Sequence, residues 1–80
     1  MKDRMDYLIG QQLKERRKEL GYSMEAVGNY IGTSKVTILN YENGISSMNI
    51  STIIKLCGLL RLDYVSVLEN ARKEYYHEQI

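Results

Sequence analysis

Apolar residues recur along this chain every three or four positions, which is the period of an α-helix with one buried face. No stretch has the sustained alternation of apolar and polar residues that is typical of a half-buried strand. Five helices are predicted, over about residues 6–19, 23–31, 34–43, 49–60 and from 63 to at least 68. The pattern therefore indicates an all-α bundle of short helices joined by tight turns.

The residues between these segments are ones that start or end helices. Three segments begin at a residue whose side-chain oxygen can cap the first turn, namely Ser23, Ser34 (or Thr33) and Asp63. Three segments end at glycine signals, namely Gly21, Gly32 and Asn43-Gly44. The fourth helix carries an apolar stripe that is expected to face the core, made of Ile50, Ile53, Ile54, Cys57 and Leu60. The fifth helix can continue through Ala71 into Tyr75-Tyr76.

Composition limits the kind of protein. A chain of 80 residues has room for one small domain. One Cys and one His cannot form an internal disulfide or a structural zinc site. No apolar run approaches the roughly 20 residues of a membrane span, and the charges between Met1 and Gly10 are unlike a signal peptide. We therefore expect a cytoplasmic protein with no metal, cofactor or small-molecule ligand.

A specific motif lies between residues 23 and 44, where two short helices are separated by a link that contains a glycine. Its sequence, SMEAVGNYIGTSKVTILNYENG, resembles the helix-turn-helix of the lambda repressor and Cro family, also called the Xre-type family. The likeness extends over about residues 8–68. It implies a compact five-helix DNA-binding domain at residues 1–68, with the helix-turn-helix at about 23–43 and a C-terminal extension at 69–80.

The resemblance assigns base contacts to the outer side of the third helix, at Lys35, Val36 and Asn40. Lysine can donate to guanine, asparagine can bond adenine through two hydrogen bonds, and valine can pack on a thymine methyl. Contacts to the DNA backbone or at its flanks are expected from Ser23, Ser34, Thr37 and Asn43. Val36 and Leu39 are expected to be partly exposed, because Ile38 and Tyr41 take the inward face.

Two departures from the family pattern affect these expectations. Met24 stands where relatives often have a Gln that contacts phosphate, and methionine cannot donate a hydrogen bond. Met48 replaces the usual Pro before the fourth helix, which is expected to loosen the loop without changing the fold.

Arg17 and Glu42 are the candidate structural pair. In relatives the matching residues form a partly buried ion pair between the first helix and the end of the third, and the alternative here is two solvated charges. Gly28 is expected where the second and third helices approach closely, unless it is merely a tolerated helix glycine. Gly32 is expected to adopt a positive φ in the turn.

The resemblance also implies a homodimer that binds two half-sites about one DNA turn apart. Its surface is expected on the fifth helix, where four residues recur at helical spacing, namely Tyr64, Leu68, Ala71 and Tyr75. Tyr76 and Ile80 add apolar surface. Residues 69–80 are thus either a dimer arm or a frayed tail. Elsewhere, helical spacing spreads Lys14, Arg16 and Lys18 around the first helix, so a solvated face is expected; the alternative is a patch in which one or two of them contact phosphates.

Two functional hypotheses follow. The first is a sequence-specific transcriptional regulator, most simply a repressor that binds double-stranded DNA at a pseudo-palindromic operator. The second is a protein–protein interaction module, or an antitoxin-like partner, that keeps the fold but binds DNA weakly or not at all. The second is supported by the formal net charge of only +1 together with Met24, Val36 and Leu39. No Ser/His/Asp set, paired-carboxylate site or phosphate-binding glycine loop points to an enzyme.

Overall fold

The computed structural model describes residues 3–79 and contains five α-helices joined by short loops. They are α1 (Arg4–Glu19), α2 (Met24–Ile31), α3 (Lys35–Glu42), α4 (Ile50–Leu60) and α5 (Tyr64–Glu78). Residues 3–79 contain no strand, so the all-α prediction is confirmed. Within the same residues, no helix combines the length and the apolar character that crossing a membrane requires.

Each helix begins at a side-chain cap. In every case a Ser, Asp or Asn oxygen accepts a hydrogen bond from the backbone N–H three residues later, which satisfies one of the free donors of the first turn. The caps are Asp3, Ser23, Ser34, Asn49 and Asp63, at N–O distances between 2.8 and 3.1 Å. Because Asp3 is the first of them, α1 starts two residues earlier than predicted. Ser34, and not Thr33, caps α3.

The core is one cluster to which α1, α2, α3, α4 and α5 all contribute. It consists of Ile9, Leu13, Val27, Ile38, Ile53, Leu56, Cys57, Leu60, Val67 and Ala71. The predicted stripe of α4 is wrong at Ile50 and Ile54, which are 53% and 43% exposed. Successive residues of a helix are about 100° apart, so the face centred on Ile53 and Leu60 takes in Leu56 and leaves Ile50 and Ile54 at its edge.

Helix α5 packs against α1, and the expected boundary at residue 68 falls inside it. Ala71 is only 1% exposed and belongs to the core. Its assignment to a dimer surface is therefore wrong, because the same turn of α5 faces α1. Asn70 Nδ2 donates to Gln12 Oε1 at 3.2 Å. Residues 69–78 are thus an integral part of the helical bundle; Ile80 lies outside the described residues.

Arg4 at the start of α1 and Glu78 at the end of α5 form an ion pair. Arg4 Nε and Nη2 donate to the two carboxylate oxygens of Glu78, at 2.8 and 2.6 Å. This bidentate pair lowers the pKa of the Glu78 carboxyl below its ordinary value. The guanidinium also lies over the Tyr7 ring, 5.0 Å from its centroid. Arg4 therefore ties the first turn of α1 to the last turn of α5.

Candidate nucleic-acid interface

Helices α2 and α3 form the helix-turn-helix. Each has eight residues. Gly32 ends α2 in the left-handed region, with φ of 79° and ψ of 35°. The Thr33 N–H then donates to the Gly28 carbonyl at 2.8 Å, which closes the turn before Ser34 caps α3. Only a glycine adopts this conformation without a steric cost, so Gly32 sets the angle between the helices.

Gly28 lies where α2 meets the start of α3. A Cβ at this position would lie 2.9 Å from the Thr33 carbonyl oxygen and 3.2 Å from the carbonyl atoms of Ser34. These neighbours are backbone atoms and cannot rotate away. The close approach therefore depends on the missing side chain, and Gly28 is a packing residue of the turn.

The structure brings Arg17 and Glu42 together as a buried, bidentate ion pair. Arg17 Nε donates to Glu42 Oε2 at 2.7 Å, and Nη2 donates to Oε1 at 3.1 Å. Arg17 Nη1 donates to the Tyr22 carbonyl at 2.9 Å. Every buried side-chain nitrogen and oxygen among the described residues has a hydrogen-bond partner. The pair joins α1 to the last residue of α3 and so fixes the orientation of α3.

Two neighbouring residues of α1, which were not predicted, complete this junction. Gln11 Nε2 donates to the Glu42 backbone carbonyl at 2.9 Å. A Cβ on Gly10 would lie 2.3 Å from the Tyr41 carbonyl oxygen, so the α1 backbone lies directly against the end of α3. Neither residue belongs to a recognisable motif, and the only signal was a glycine inside an otherwise good helix.

The outer side of α3 presents the predicted base-contact residues. Lys35 is exposed and Val36 is 62% exposed, while Asn40 is half-buried. The Asn40 carboxamide has no hydrogen bond to another described residue. Leu39, which was not assigned to base contact, is 42% exposed on the same helix. Lys35, Val36 and Asn40 therefore lie on one helix, with the first two exposed and the third half-buried.

The predicted flanking residues are in capping and loop positions. Ser34 Oγ accepts the Thr37 N–H at 3.1 Å and lies 3.0 Å from Thr37 Oγ1, so the two hydroxyls bond to each other. Ser23 Oγ accepts the Ala26 N–H at the exposed start of α2. Asn43 is half-buried and caps the end of α3. All four polar groups lie at helix ends.

The loop after α3 is held against the start of α1. The Asp3 N–H donates to the Gly44 carbonyl at 3.1 Å, and the Ser47 hydroxyl donates to the Asp6 carboxylate. The Asn40 carbonyl accepts the N–H groups of Ile45 and Ser46. These contacts order the loop although it lacks a proline at residue 48.

The helix-turn-helix surface is nearly neutral. Between residues 23 and 44 the chain has three formal charges, at Glu25, Lys35 and Glu42. Glu42 is buried with Arg17. Lys35 and Glu25 are therefore the charges that remain exposed in this segment, one of each sign.

Arg16 does not belong to a solvated face, contrary to expectation. Its Nε donates to the Leu60 carbonyl at 3.0 Å and so binds the end of α4. Lys18 is exposed as expected, and Lys14 is half-buried. Cys57 is buried in the core, and this burial raises the pKa of its thiol. Within residues 3–79, no group of three or more His, Cys, Asp or Glu side chains could hold a metal ion.

Comparison with known proteins identifies the family. A helix-turn-helix family model matches residues 13–66. A proposed HTH-type transcriptional regulatory protein of Thermoplasma volcanium is 37% identical over 60 residues, which are 75% of this chain and 19% of that protein. One from Saccharolobus solfataricus is 36% identical over 53 residues, 66% of this chain and 17% of that protein. The chain belongs to the Xre-type, lambda repressor-like helix-turn-helix family, and it spans less than a fifth of the length of these relatives.

A solved structure shares the fold. The crystal structure of the clp gene regulator ClgR from C. glutamicum superposes with a TM-score of 0.77 and 17% sequence identity, over 88% of this chain and 91% of that chain. At this identity the likeness concerns the fold, and it agrees with the five-helix architecture. The matched family consists of regulators and not of enzymes.

Proposed function

We propose that this chain is a sequence-specific DNA-binding transcriptional regulator, and that it acts in the cytoplasm as a homodimeric repressor at a pseudo-palindromic operator. The observation that supports this most directly is the geometry of α3. Its outer side is exposed at Lys35 and Val36, and its far end is held by the buried Arg17–Glu42 pair. A short, rigidly held and exposed second helix is what a helix-turn-helix places in the major groove.

Three side chains of α3 supply base recognition. Lys35 lies in the first turn, where its ammonium can donate to O6 and N7 of guanine. Asn40 has a carboxamide with no protein partner among the described residues, which leaves it free to bond N6 and N7 of adenine. Val36 offers an apolar surface to a thymine methyl. Together they distinguish a guanine, an adenine and a thymine.

Contacts to the DNA backbone come from helix ends. The N-terminus of α2 leaves backbone N–H groups and a partial positive charge next to Ser23, which suits a phosphate. Ser34, Thr37 and Asn43 supply hydroxyl and amide groups at the two ends of α3. Met24 is half-buried, so backbone groups replace the side-chain contact that a Gln would provide.

The homodimer would use the outer side of α5. Val65 and Tyr76 are 56% and 57% exposed there, and Tyr64 is 38% exposed. Leu68 and Tyr75 are half-buried at the edge of the same face. These side chains recur at helical spacing over three turns, whereas Ala71 faces the core. Two copies related by a two-fold axis would place their α3 helices in successive major grooves, about 34 Å apart.

Binding to random duplex DNA at low salt separates this proposal from an interaction module that has lost DNA binding. A DNA-binding regulator has a non-specific affinity that falls steeply as salt is added. A more specific experiment selects binding sites from a pool of random duplex DNA with the wild type, Lys35→Ala and Asn40→Ala. Both variants should select altered sites. Lys73→Ala, which removes an exposed lysine of α5, is the matched control and should select the wild-type site.

Two results would count against the proposal. If the wild type binds no duplex even at low ionic strength, the interaction module is the better explanation. If Lys35→Ala and Asn40→Ala select the wild-type sites with unchanged preference, the assignment of base contacts is wrong.

A further inference from the structure

The exposed side of α3 carries an apolar pair. Val36 and Leu39 are 62% and 42% exposed, and they lie three residues apart, on neighbouring turns of one face. Ile38 faces the core in the same helix and is 2% exposed. The outer pair is therefore not an extension of the core. Lys35 is the charged residue next to it.

The direction of Leu39 places it within the surface assigned to DNA. At about 100° per residue, Val36 lies about 100° from Lys35 around the helix axis, and Leu39 about 40° from Lys35. Leu39 thus falls between Lys35 and Val36 when α3 is viewed along its axis. The three side chains form one continuous surface in which an ammonium group lies beside two branched apolar groups.

In the major groove of DNA the apolar counterpart of such a pair is the C5-methyl group of thymine. Val36 and Leu39 are separated along the helix by about 4.5 Å, three residues of about 1.5 Å rise each. Neighbouring bases of one strand are about 3.4 Å apart. One turn of α3 therefore matches two adjacent thymines better than two methyls further apart.

We infer that Val36 and Leu39 together recognise the C5-methyl groups of two adjacent thymines in each operator half-site. This inference rests on the proposed function, and it adds Leu39 as a specificity-determining residue. It also specifies the chemistry of the operator half-site, which must present methyl groups to α3 as well as hydrogen-bond donors and acceptors.

The test is to replace thymine by uracil, which keeps base pairing and removes only the methyl group. The probe is the operator selected from the random pool, synthesised with thymine throughout, with uracil throughout, or with uracil at single positions. Each lost contact should weaken binding about fourfold, the equivalent of about one buried CH₂ group, and two contacts in one half-site should weaken it about 15-fold. Uracil outside the contacted pair should have little effect.

Protein variants separate a methyl contact from a change of DNA shape. The ratio of affinities for thymine and uracil operators should fall towards one in Val36→Ala and in Leu39→Ala. Lys35→Ala is the matched control, since it should lose affinity for both operators and keep the wild-type ratio. Because both apolar residues are exposed, these variants should fold, and thermal melting would verify it.

The outcomes distinguish the inference from the function beneath it. Tight binding of both operators with equal affinity by the wild type overturns methyl recognition and leaves the regulator proposal standing. If Val36→Ala loses the preference for the thymine operator over the uracil operator but Leu39→Ala keeps it, the role of Leu39 is overturned. Failure of the wild type to bind any duplex overturns the proposed function itself.

Discussion

Arg17 and Glu42 meet through two hydrogen bonds of 2.7 and 3.1 Å, although they lie 25 positions apart in the chain. The pair connects α1, which contributes Ile9 and Leu13 to the core, to the last residue of α3, the helix of the proposed base contacts. Both side chains are buried. Their charged groups bond to each other, and the Arg17 guanidinium also donates to the Tyr22 carbonyl. The orientation of α3 is thus set by an electrostatic contact outside the interface.

Removing one partner of this pair should strongly destabilise the protein. Glu42→Ala leaves the Arg17 guanidinium buried and unpaired, and we expect a loss of about 3–5 kcal/mol in the free energy of unfolding. Arg17→Ala should behave similarly. Glu69→Ala is the control, because it breaks an exposed pair with Arg72, and its melting temperature should remain near the wild-type value. Single variants at Arg17 and Glu42 that both melt like the wild type would show that the pair is not structural.

Gly10 and Gly58 allow a matched comparison of two helix glycines. A methyl group at Gly10 would press on the Tyr41 and Glu42 backbone, so Gly10→Ala should destabilise by about 1–3 kcal/mol. At Gly58 a Cβ would meet no atom of another helix within 4 Å. Gly58→Ala should therefore stabilise by up to about 1 kcal/mol through helix propensity. Chemical denaturation measures both, and effects of the same sign would contradict the close approach of α1 to α3.

The sequence predicts structural features that depend on residues close by in the chain. It fails for features that depend on contacts with residues far away in the chain. The starts of all five helices and the ends of α1 to α4 were predicted within about two residues, because signals such as the caps Ser23 and Ser34 act over a single turn. The face of a helix that meets a neighbour depends on how the helices cross. For that reason Ile54 was placed in the core, Ala71 on the surface, and Gly10 was overlooked. Arg17 and Glu42 could be paired only because the family motif contains information that propensity and periodicity lack.

The Arg4–Glu78 pair predicts a pH dependence of stability. Since the pair lowers the pKa of Glu78 in the folded state, its contribution is fully present above the ordinary carboxyl value of 4.5 and is lost as the pH falls below it. Glu78→Gln should therefore melt below the wild type near neutral pH, and the two melting temperatures should converge in acid. Arg4→Gln, which removes the other partner of the pair, should show the same convergence. A difference that grows in acid would contradict the pair.

The proposed dimer face predicts which substitutions produce a monomer. Deleting residues 70–80 is a poor test, because it would also remove Ala71 from the core. Val65→Glu and Tyr76→Glu instead place a charge on the exposed side of α5 and should halve the mass in solution while the fold remains intact. Tyr30→Glu is the control, since Tyr30 is equally exposed but lies on α2. If all three variants keep the wild-type mass, whether dimer or monomer, α5 does not form the interface.

The nearly neutral helix-turn-helix predicts an unusually shallow dependence of DNA affinity on salt. Each phosphate neutralised by a cation contributes about −0.9 to the slope of log K against log salt concentration. Within residues 23–44 Lys35 is the one cation, so Lys35→Ala should reduce the magnitude of the slope by at most about 0.9 per subunit if the ammonium also lies near a phosphate. Asn40→Ala removes no charge and should lower affinity at every salt concentration with the slope unchanged.

Binding titrations of the wild type, Lys35→Ala and Asn40→Ala over a range of salt concentrations measure the affinity and the slope. A slope as steep as that of a strongly basic relative would mean that cations outside the helix-turn-helix, such as Lys18 of α1, carry the phosphate contacts.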